Sequence, residues 1–342
     1  MGWSARDPGM IGVAAIGAGR MGRTHLATLG ALPGIRVVSV TDRDPVAAEA
    51  GRRLARAERA HADAAVAVAD PEVDAVVIVT PTGSHAELIE LAARAGRAAW
   101  CEKPIASGLA ETRRVLATVE AAGVPVQIGF MRRYDPGYRA AKARIDAREL
   151  GRIETFRAVS RDAICPPPAY LATSGGIFLD LGVHDLDLAR FLVGEVDEVT
   201  AWGGVLHDPA VGAVGDVDTA IAMLRFRDGA LGTLELGRHT DWGYDIRTEI
   251  VGARAKVVVE AERRTPIAIS RGMATATDHH PSFPERFGEA FRDQLAAFFA
   301  ALAAGETPTP GPADSLETLR LALAVTRSHA EGRPVRVAEI DG

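Results

Sequence analysis

Three stretches of the chain carry side chains or backbone at spacings that chemistry can use. The first is Gly17-Ala18-Gly19-Arg20-Met21-Gly22, a G-x-G-x-x-G run that follows the apolar stretch Ile11 to Ile16 and opens a helical pattern. In that context the first glycine permits a tight turn. The second lets a pyrophosphate approach the backbone, and the third lets helix and strand pack closely. The helix start adds unpaired N–H groups and a positive dipole end. Asp42 ends the next apolar run, 20 residues past Gly22. A carboxylate there accepts both hydroxyls of an adenosine ribose and repels a 2′-phosphate, by roughly 4 kcal/mol for unit charges about 4 Å apart at an effective dielectric of about 20. That favours NAD. Arg43 could stack on adenine or receive the phosphate, so NADP stays open. An ordinary glycine-rich turn with a surface aspartate is the alternative.

The second stretch is a pair of strand ends. Thr80-Pro81-Thr82-Gly83-Ser84-His85 and Glu102-Lys103-Pro104 each close an apolar run, and ligands of open α/β sheets gather beyond such ends. Ser84 or Thr82 could equally cap the following helix. His85 reads as structural before catalytic. A lone lysine is usually a surface charge, but an ammonium in this crevice can hydrogen-bond a substrate hydroxyl and stabilise developing oxygen charge. The third stretch is Gly175-Gly176 followed by Asp180 and His184. Four residues apart, the two side chains share one face of a helix. Imidazole can act as a base near neutral pH, with the carboxylate orienting it or holding substrate. Asp187 reads as the partner of an arginine such as Arg190. A solvated Asp–His face on an amphipathic helix is the alternative.

Elements must position these residues. Strands over 11–16, 35–41, 73–80, 98–102 and 124–129 alternate with helices over 20–31, 45–59, 85–94 and 110–122. This rhythm predicts right-handed βαβ units and a parallel sheet. Near Phe130 it changes. Longer strands with alternating faces follow over 153–161, 196–203, 218–226, 230–237, 246–251 and 256–260, with a hairpin signal at Asp228-Gly229. They predict a mostly antiparallel sheet, with helices around 180–192, 284–304 and 313–331 on one face. The fold class is thus α/β: a Rossmann parallel sheet over residues 10–130, then an α/β domain over 131–342. Residues 1–9 read as a leader.

The bulk numbers exclude several functions. Apolar residues make up 47% and charged residues 25% of the chain, ordinary globular values that argue against disorder. The net charge, 39 minus 45 or −6, gives no general pull toward nucleic acid or anionic lipid. Two cysteines, Cys101 and Cys165, make no disulfide framework and fit a reducing cytoplasm. No Cys/His cluster has zinc spacing, so no metal is expected. No apolar run reaches the ~18–20 residues of a membrane helix.

Taken together, Gly17-x-Gly19-x-x-Gly22, Glu102-Lys103-Pro104 and Gly175-Gly176…Asp180-x-x-x-His184-x-x-Asp187 resemble the Gfo/Idh/MocA oxidoreductases in order and spacing across nearly the whole chain. Gly129 to Tyr138, Ser160-Arg161-Asp162 leading into Pro166-Pro167-Pro168 and Tyr170, and Trp242-Gly243-Tyr244-Asp245 resemble the inositol 2-dehydrogenase branch. The resemblance implies hydride transfer from a ring secondary alcohol of a cyclitol, myo-inositol foremost, to NAD. A sugar, scyllo-inositol or aminocyclitol substrate remains an alternative. It implies that His184 takes the proton, Lys103 hydrogen-bonds the hydroxyl and the cofactor ribose, and Asp180 binds substrate and biases His184. Gly17, Gly19, Arg20, Met21, Gly22, Asp42, Arg43, Thr80, Pro81, His85, Glu102 and Lys103 would hold the cofactor. Met131, Arg132, Asp162 and Tyr244 would line the polyol pocket. Open sheets would pair copies into dimers or tetramers. A non-catalytic NAD(P)-binding regulator would be expected to lack Lys103 or His184; both are present.

Overall fold

The computed structural model describes residues 9–341. The expected leader lies, apart from Gly9, outside the described residues. The chain divides into two compact units: residues up to Met131 together with Ala290–Glu317, and Arg132–Glu289 together with Thr318 onward.

The first unit holds strands β1 (Ile11–Ile16), β2 (Ile35–Thr41), β3 (Arg59–His61), β4 (Ala75–Ile78), β5 (Ala98–Glu102) and β6 (Val126–Gly129). Among the described residues they form one six-stranded sheet in the order β3-β2-β1-β4-β5-β6, with every pairing parallel. Every residue of β1 and β4 is buried, as expected of strands covered on both faces. The helices between them carry ordinary boundary signals. Asp44 accepts from the Val46 N–H ahead of the helix Pro45–Leu54, with proline in its first turn. Gly123, at φ +63°, ends the helix Leu109–Ala122.

The sequence places the helix over 284–304 on the second sheet, and the structure corrects this. A short helix, Phe283–Arg286, is followed by Gly288–Ala304. Leu295, Phe298, Phe299 and Leu302 of the latter join one core with Leu26, Leu29, Val13 and Trp100 of the first unit. The segment is apolar enough to suit either core, so only packing decides. The short strand β3 and the helix Ala64–Ala69 also go beyond the sequence reading, and the helix from Pro45 stops at Leu54.

The second unit holds β7 (Ile153–Arg161), β8 (Val196–Gly204), β9 (Thr219–Phe226), β10 (Leu231–Gly237), β11 (Asp245–Gly252), β12 (Lys256–Val259), a ribbon of β13 (Arg263–Arg271) and β14 (Ala274–His279), and β15 (Val335–Arg336). Among the described residues seven of these make a sheet in the order β12-β11-β7-β10-β9-β8-β15. Its pairings are antiparallel except β7 with β10, so the sheet is mixed at its centre. Asp228-Gly229 makes the expected hairpin turn, with Gly229 at φ +93°. β9 alternates buried and exposed residues, the signature of a strand with one covered face. Among the described residues no helix is long and apolar enough to cross a membrane.

The loop after β8 is held by one carboxylate. Asp218 is buried and accepts from the N–H groups of Leu206, His207 and Asp208 at 2.8–2.9 Å and from the Thr219 hydroxyl at 3.0 Å. Burial works to raise this carboxyl, but the donated hydrogen bonds outweigh it and hold it below the ordinary carboxylate range. A depressed folded-state value means stability that is present above the unfolded value and lost as pH falls through the folded one. Asp218→Asn should therefore cost about 1.5–3 kcal/mol near neutral pH. In denaturant titrations the gap from the parent should close below pH ~3.9.

Candidate active site

The glycine turn of the first unit is built by exclusion. Gly17 sits at φ +105°, and a Cβ there would stand 2.4 Å from the Val79 carbonyl oxygen. A Cβ on Gly22 would stand 2.3 Å from the Gly17 carbonyl oxygen, so the first turn of the helix Arg20–Leu29 lies directly on the turn. At Gly19 a Cβ would meet nothing within 4 Å. Two glycines are thus demanded by protein backbone, while the middle one faces open space at the helix start. That is the shape a pyrophosphate needs. Asp42 Oδ2 accepts from the Ala18 N–H at 2.8 Å and Oδ1 from the Asp44 N–H at 3.0 Å. The carboxylate is therefore fixed beside the turn, with Arg43 exposed next to it. Arg20 is exposed and Met21 half-buried at the mouth of the same helix. These residues fit a dinucleotide.

The second strand-end pair is braced by His85. Its ring is buried, with Nδ1 2.7 Å from the Pro104 carbonyl oxygen and Nε2 2.7 Å from the Thr80 carbonyl oxygen. It ties the Thr80-Pro81 turn to the segment that follows Lys103. Ser84 does not cap the helix His85–Arg94; its hydroxyl lies 2.9 Å from the Pro81 carbonyl oxygen and 2.7 Å from Thr80 Oγ1. Glu102 is fixed from both sides. Oε1 lies 2.9 Å from His25 Nε2, and Oε2 accepts from the Lys103 N–H at 3.2 Å. His25 is itself fully buried against the Trp100 and Phe291 rings. Glu102 therefore holds the backbone from which the half-buried Lys103 projects. The Lys103–Pro104 peptide bond is cis.

In the second unit, Asp180 and His184 do not share one continuous helix. Asp180 ends the short helix Ile177–Asp180, and His184 is the second residue of Val183–Leu192. The break falls at Gly182, where a Cβ would stand 2.8 Å from Leu236 Cδ1. The chain jogs so that it can lie against β10. Both Asp180 oxygens accept hydrogen bonds: Oδ1 from the Tyr170 hydroxyl at 2.8 Å, Oδ2 from Arg238 at 3.1 Å. Arg238 is fully buried and also donates to Asp216 at 2.8 Å. Burial alone would lower its pKa, but the two carboxylates outweigh this and hold it above its ordinary value.

Asp187 pairs with Arg133, not with Arg190. The Arg133 fork meets both its oxygens at 2.7 and 2.8 Å, while Arg190 turns to Glu195 and Thr318. Arg132 is buried, with Nη1 2.7 Å from Asp185 and 3.0 Å from the Ser160 hydroxyl. Tyr244 is buried in the same neighbourhood. Desolvation pushes its phenol well above the ordinary tyrosine value, opposed by Arg132 and reinforced by Asp162 and Asp185. The structure thus gathers Arg132, Asp162 and Tyr244, three of the four residues expected at a polyol. Met131 is buried at the start of the turn Met131–Tyr134. Sequence reasoning missed Asp185, Arg238, Asp216 and His25 as supports; each acts across a long sequence separation, and no local pattern marks them.

A family model described as an NAD-binding Rossmann fold matches residues 11–130, and its companion, an oxidoreductase C-terminal alpha/beta domain, matches 142–337. The chain belongs to the Gfo/Idh/MocA oxidoreductase family. An inositol 2-dehydrogenase of Rhizobium meliloti (strain 1021) is 39% identical, over 94% of this chain and 98% of that protein. A scyllo-inositol 2-dehydrogenase (NAD(+)) of Bacillus subtilis (strain 168) is 36% identical, over 95% of each. Among solved structures, a probable dehydrogenase from Thermotoga maritima matches with TM-score 0.94 at 32% identity, covering 96% of this chain and 100% of the other. The Lactobacillus casei scyllo-inositol dehydrogenase with bound NAD(H) and scyllo-inositol matches at 0.89 and 28% identity, covering 96% and 99%. Residues 11–130 of this family member are accordingly an NAD-binding Rossmann fold.

Proposed function

We propose that this family member is an NAD-dependent dehydrogenase that oxidises a ring secondary alcohol of a cyclitol, with myo-inositol as the leading substrate and 2-keto-inositol as product. The observation that carries the reading is a fixed carboxylate, Asp180, one short jog before His184, in a chain that also holds a dinucleotide turn closed by Asp42. The names of the relatives support the substrate class. Bound NAD supplies the hydride acceptor at C4 of its nicotinamide. His184 takes the proton of the reacting hydroxyl, since imidazole is a competent base near neutral pH. Lys103 donates a hydrogen bond to the same oxygen and stabilises its developing charge. Asp180 binds a neighbouring hydroxyl and favours the imidazolium that forms. Gly17, Gly19, Arg20, Met21 and Gly22 cradle the pyrophosphate, Asp42 and Arg43 take the adenosine ribose, and Thr80, Pro81, His85 and Glu102 shape the nicotinamide end. Met131, Arg132, Asp162 and Tyr244 define the polyol pocket.

A cofactor-by-polyol matrix with the purified protein tests this. NADH should appear with myo-inositol at least tenfold faster than with aldoses, and NADP should be the poorer acceptor. A scyllo-inositol preference is the second reading, favoured by the names of the Bacillus and Lactobacillus proteins. Activity with aldoses alone would replace both by a sugar dehydrogenase.

The outer face of the second sheet supports self-association. Trp202, Ile221, Met223 and Leu231 on β8–β10 are each about half exposed, and Trp202 stands opposite Ile221 in register. Large apolar residues exposed together on one sheet suit an interface, and a second copy offers the same face. In sedimentation the parent should run as a dimer or tetramer, and Trp202→Glu should shift it to smaller species. A monomeric parent would end the idea. A reducing cytoplasmic setting belongs to the same proposal, since the sequence holds only two cysteines, Cys101 and Cys165, too few for a disulfide framework.

A further inference from the structure

We propose that Arg238, held in place by Asp216, is a positioning residue that fixes the orientation of the Asp180 carboxylate. The proposal rests on the reading above, in which Asp180 belongs to the reacting site.

Two side chains of the second unit hold Asp180. It ends a helix of four residues and is partly open, with 16% of its side chain exposed. A carboxylate in that position samples several rotamers unless something fixes it. Tyr170 reaches its Oδ1, but Tyr170 is itself exposed and sits on a separate short helix, Pro168–Ser174. Arg238 differs. It follows β10 directly, its backbone N–H donates to the Asp218 carbonyl oxygen, and its side chain is completely buried. The guanidinium therefore has no room to swing.

Asp216 closes the brace. Its Oδ2 accepts from Arg238 at 2.8 Å. Its Oδ1 accepts from the backbone N–H groups of Ile177 at 2.9 Å and Val217 at 2.8 Å. Ile177 is the first residue of the same short helix that Asp180 ends. One carboxylate thus pins the start of that helix directly and, through Arg238, the functional group at its end. Gly176 makes room for this: it sits at φ +89°, and a Cβ there would stand 3.3 Å from Asp216 Oδ1. A planar fork that reaches two carboxylates at once is a task for arginine; lysine offers a compact point charge instead. Two carboxylates around one guanidinium also leave the cluster one negative charge, which suits a neighbouring imidazole that must accept a proton.

The test is a double-mutant cycle on kcat. Arg238→Met should lower kcat roughly 10- to 100-fold in the parent, the scale set by a misplaced catalytic group. In an Asp180→Asn background the same change should cost less than about twofold, because a residue acting only through another gives non-additive losses. A general structural role would lower both backgrounds alike. Arg238→Lys should recover part of the loss. Should Arg238→Met fail to fold, Asp216→Asn takes its place in the cycle, with a smaller loss that again vanishes beside Asp180→Asn. Equal losses in both backgrounds, or an unchanged kcat in Arg238→Met, overturn the proposal and leave the dehydrogenase reading standing. A parent-like kcat in Asp180→Asn alone removes Asp180 from the reacting site and overturns the proposal, while absence of turnover in the parent would overturn the dehydrogenase reading itself.

Discussion

His184→Ala is expected to lower kcat by about 10²–10⁴-fold while NAD still binds with nearly the affinity of the parent. A ring alcohol is far too weak an acid to ionise in water near neutral pH, so its proton must leave as the C–H bond gives up its hydride. A base already in place is what makes the two events concurrent, and His184 is the imidazole four residues after the fixed Asp180. Lys103→Ala should be of similar severity, roughly 10²–10³-fold, because it removes a donor to the oxygen on which charge develops. Its ammonium projects from a backbone that Glu102 and His85 hold in place, so the alanine chain should keep its fold. NAD affinity, followed by quenching of protein fluorescence or by calorimetry, is the control. The glycine turn and Asp42 are untouched by the His184 change, so binding should survive. Normal turnover in either variant would remove that residue from the mechanism. Loss of NAD binding together with turnover in His184→Ala would point to a disturbed fold instead.

Much of this site is legible in sequence because its signals are local. β1, the glycine turn and the helix after it span fewer than twenty residues. Asp42 follows at the end of a β-branched run, so strand, turn, helix and acid confirm one another. The strands β7 to β12 fall within a residue or so of their expected ranges, since one covered face writes a period of two into the sequence. The failures share a different cause. β3 is three residues long, too short for any period. The ribbon β13–β14 is largely exposed, so no burial pattern marks it. The jog at Gly182 answers a contact with Leu236, 54 residues further on. Arg133 rather than Arg190 meets Asp187 for the same reason: proximity in the chain favours Arg190, and packing favours a residue 54 positions away. The residues proposed to touch substrate are announced by motif, whereas residues that hold them are chosen by tertiary structure.

Arg132 is the clearest case of a residue whose role needs the structure, and it carries the largest expected effect on stability. Its guanidinium is buried 2.7 Å from Asp185, itself fully buried, and it lies over the Phe287 ring. Arg132→Met should cost about 3–5 kcal/mol, because it leaves a carboxylate buried without its partner. For a unit of this size that is a fall in Tm of roughly 6–20 °C. Arg132→Met with Asp185→Leu should recover most of it, since an apolar pair of similar volume replaces two charges that were costly to desolvate. The pH dependence has a definite sign. Burial already pushes the Asp185 carboxyl above its ordinary value, against the pull of Arg132. Without Arg132 that rise grows, so the folded chain holds a neutral acid at low pH and must ionise it, at a cost, as pH rises. The deficit of Arg132→Met should therefore be small near pH ~3.9 and widen toward neutrality. An Arg132 that served chiefly to grip the polyol would behave otherwise: the single variant would lose turnover at an unchanged Tm, and the double variant would gain nothing over it.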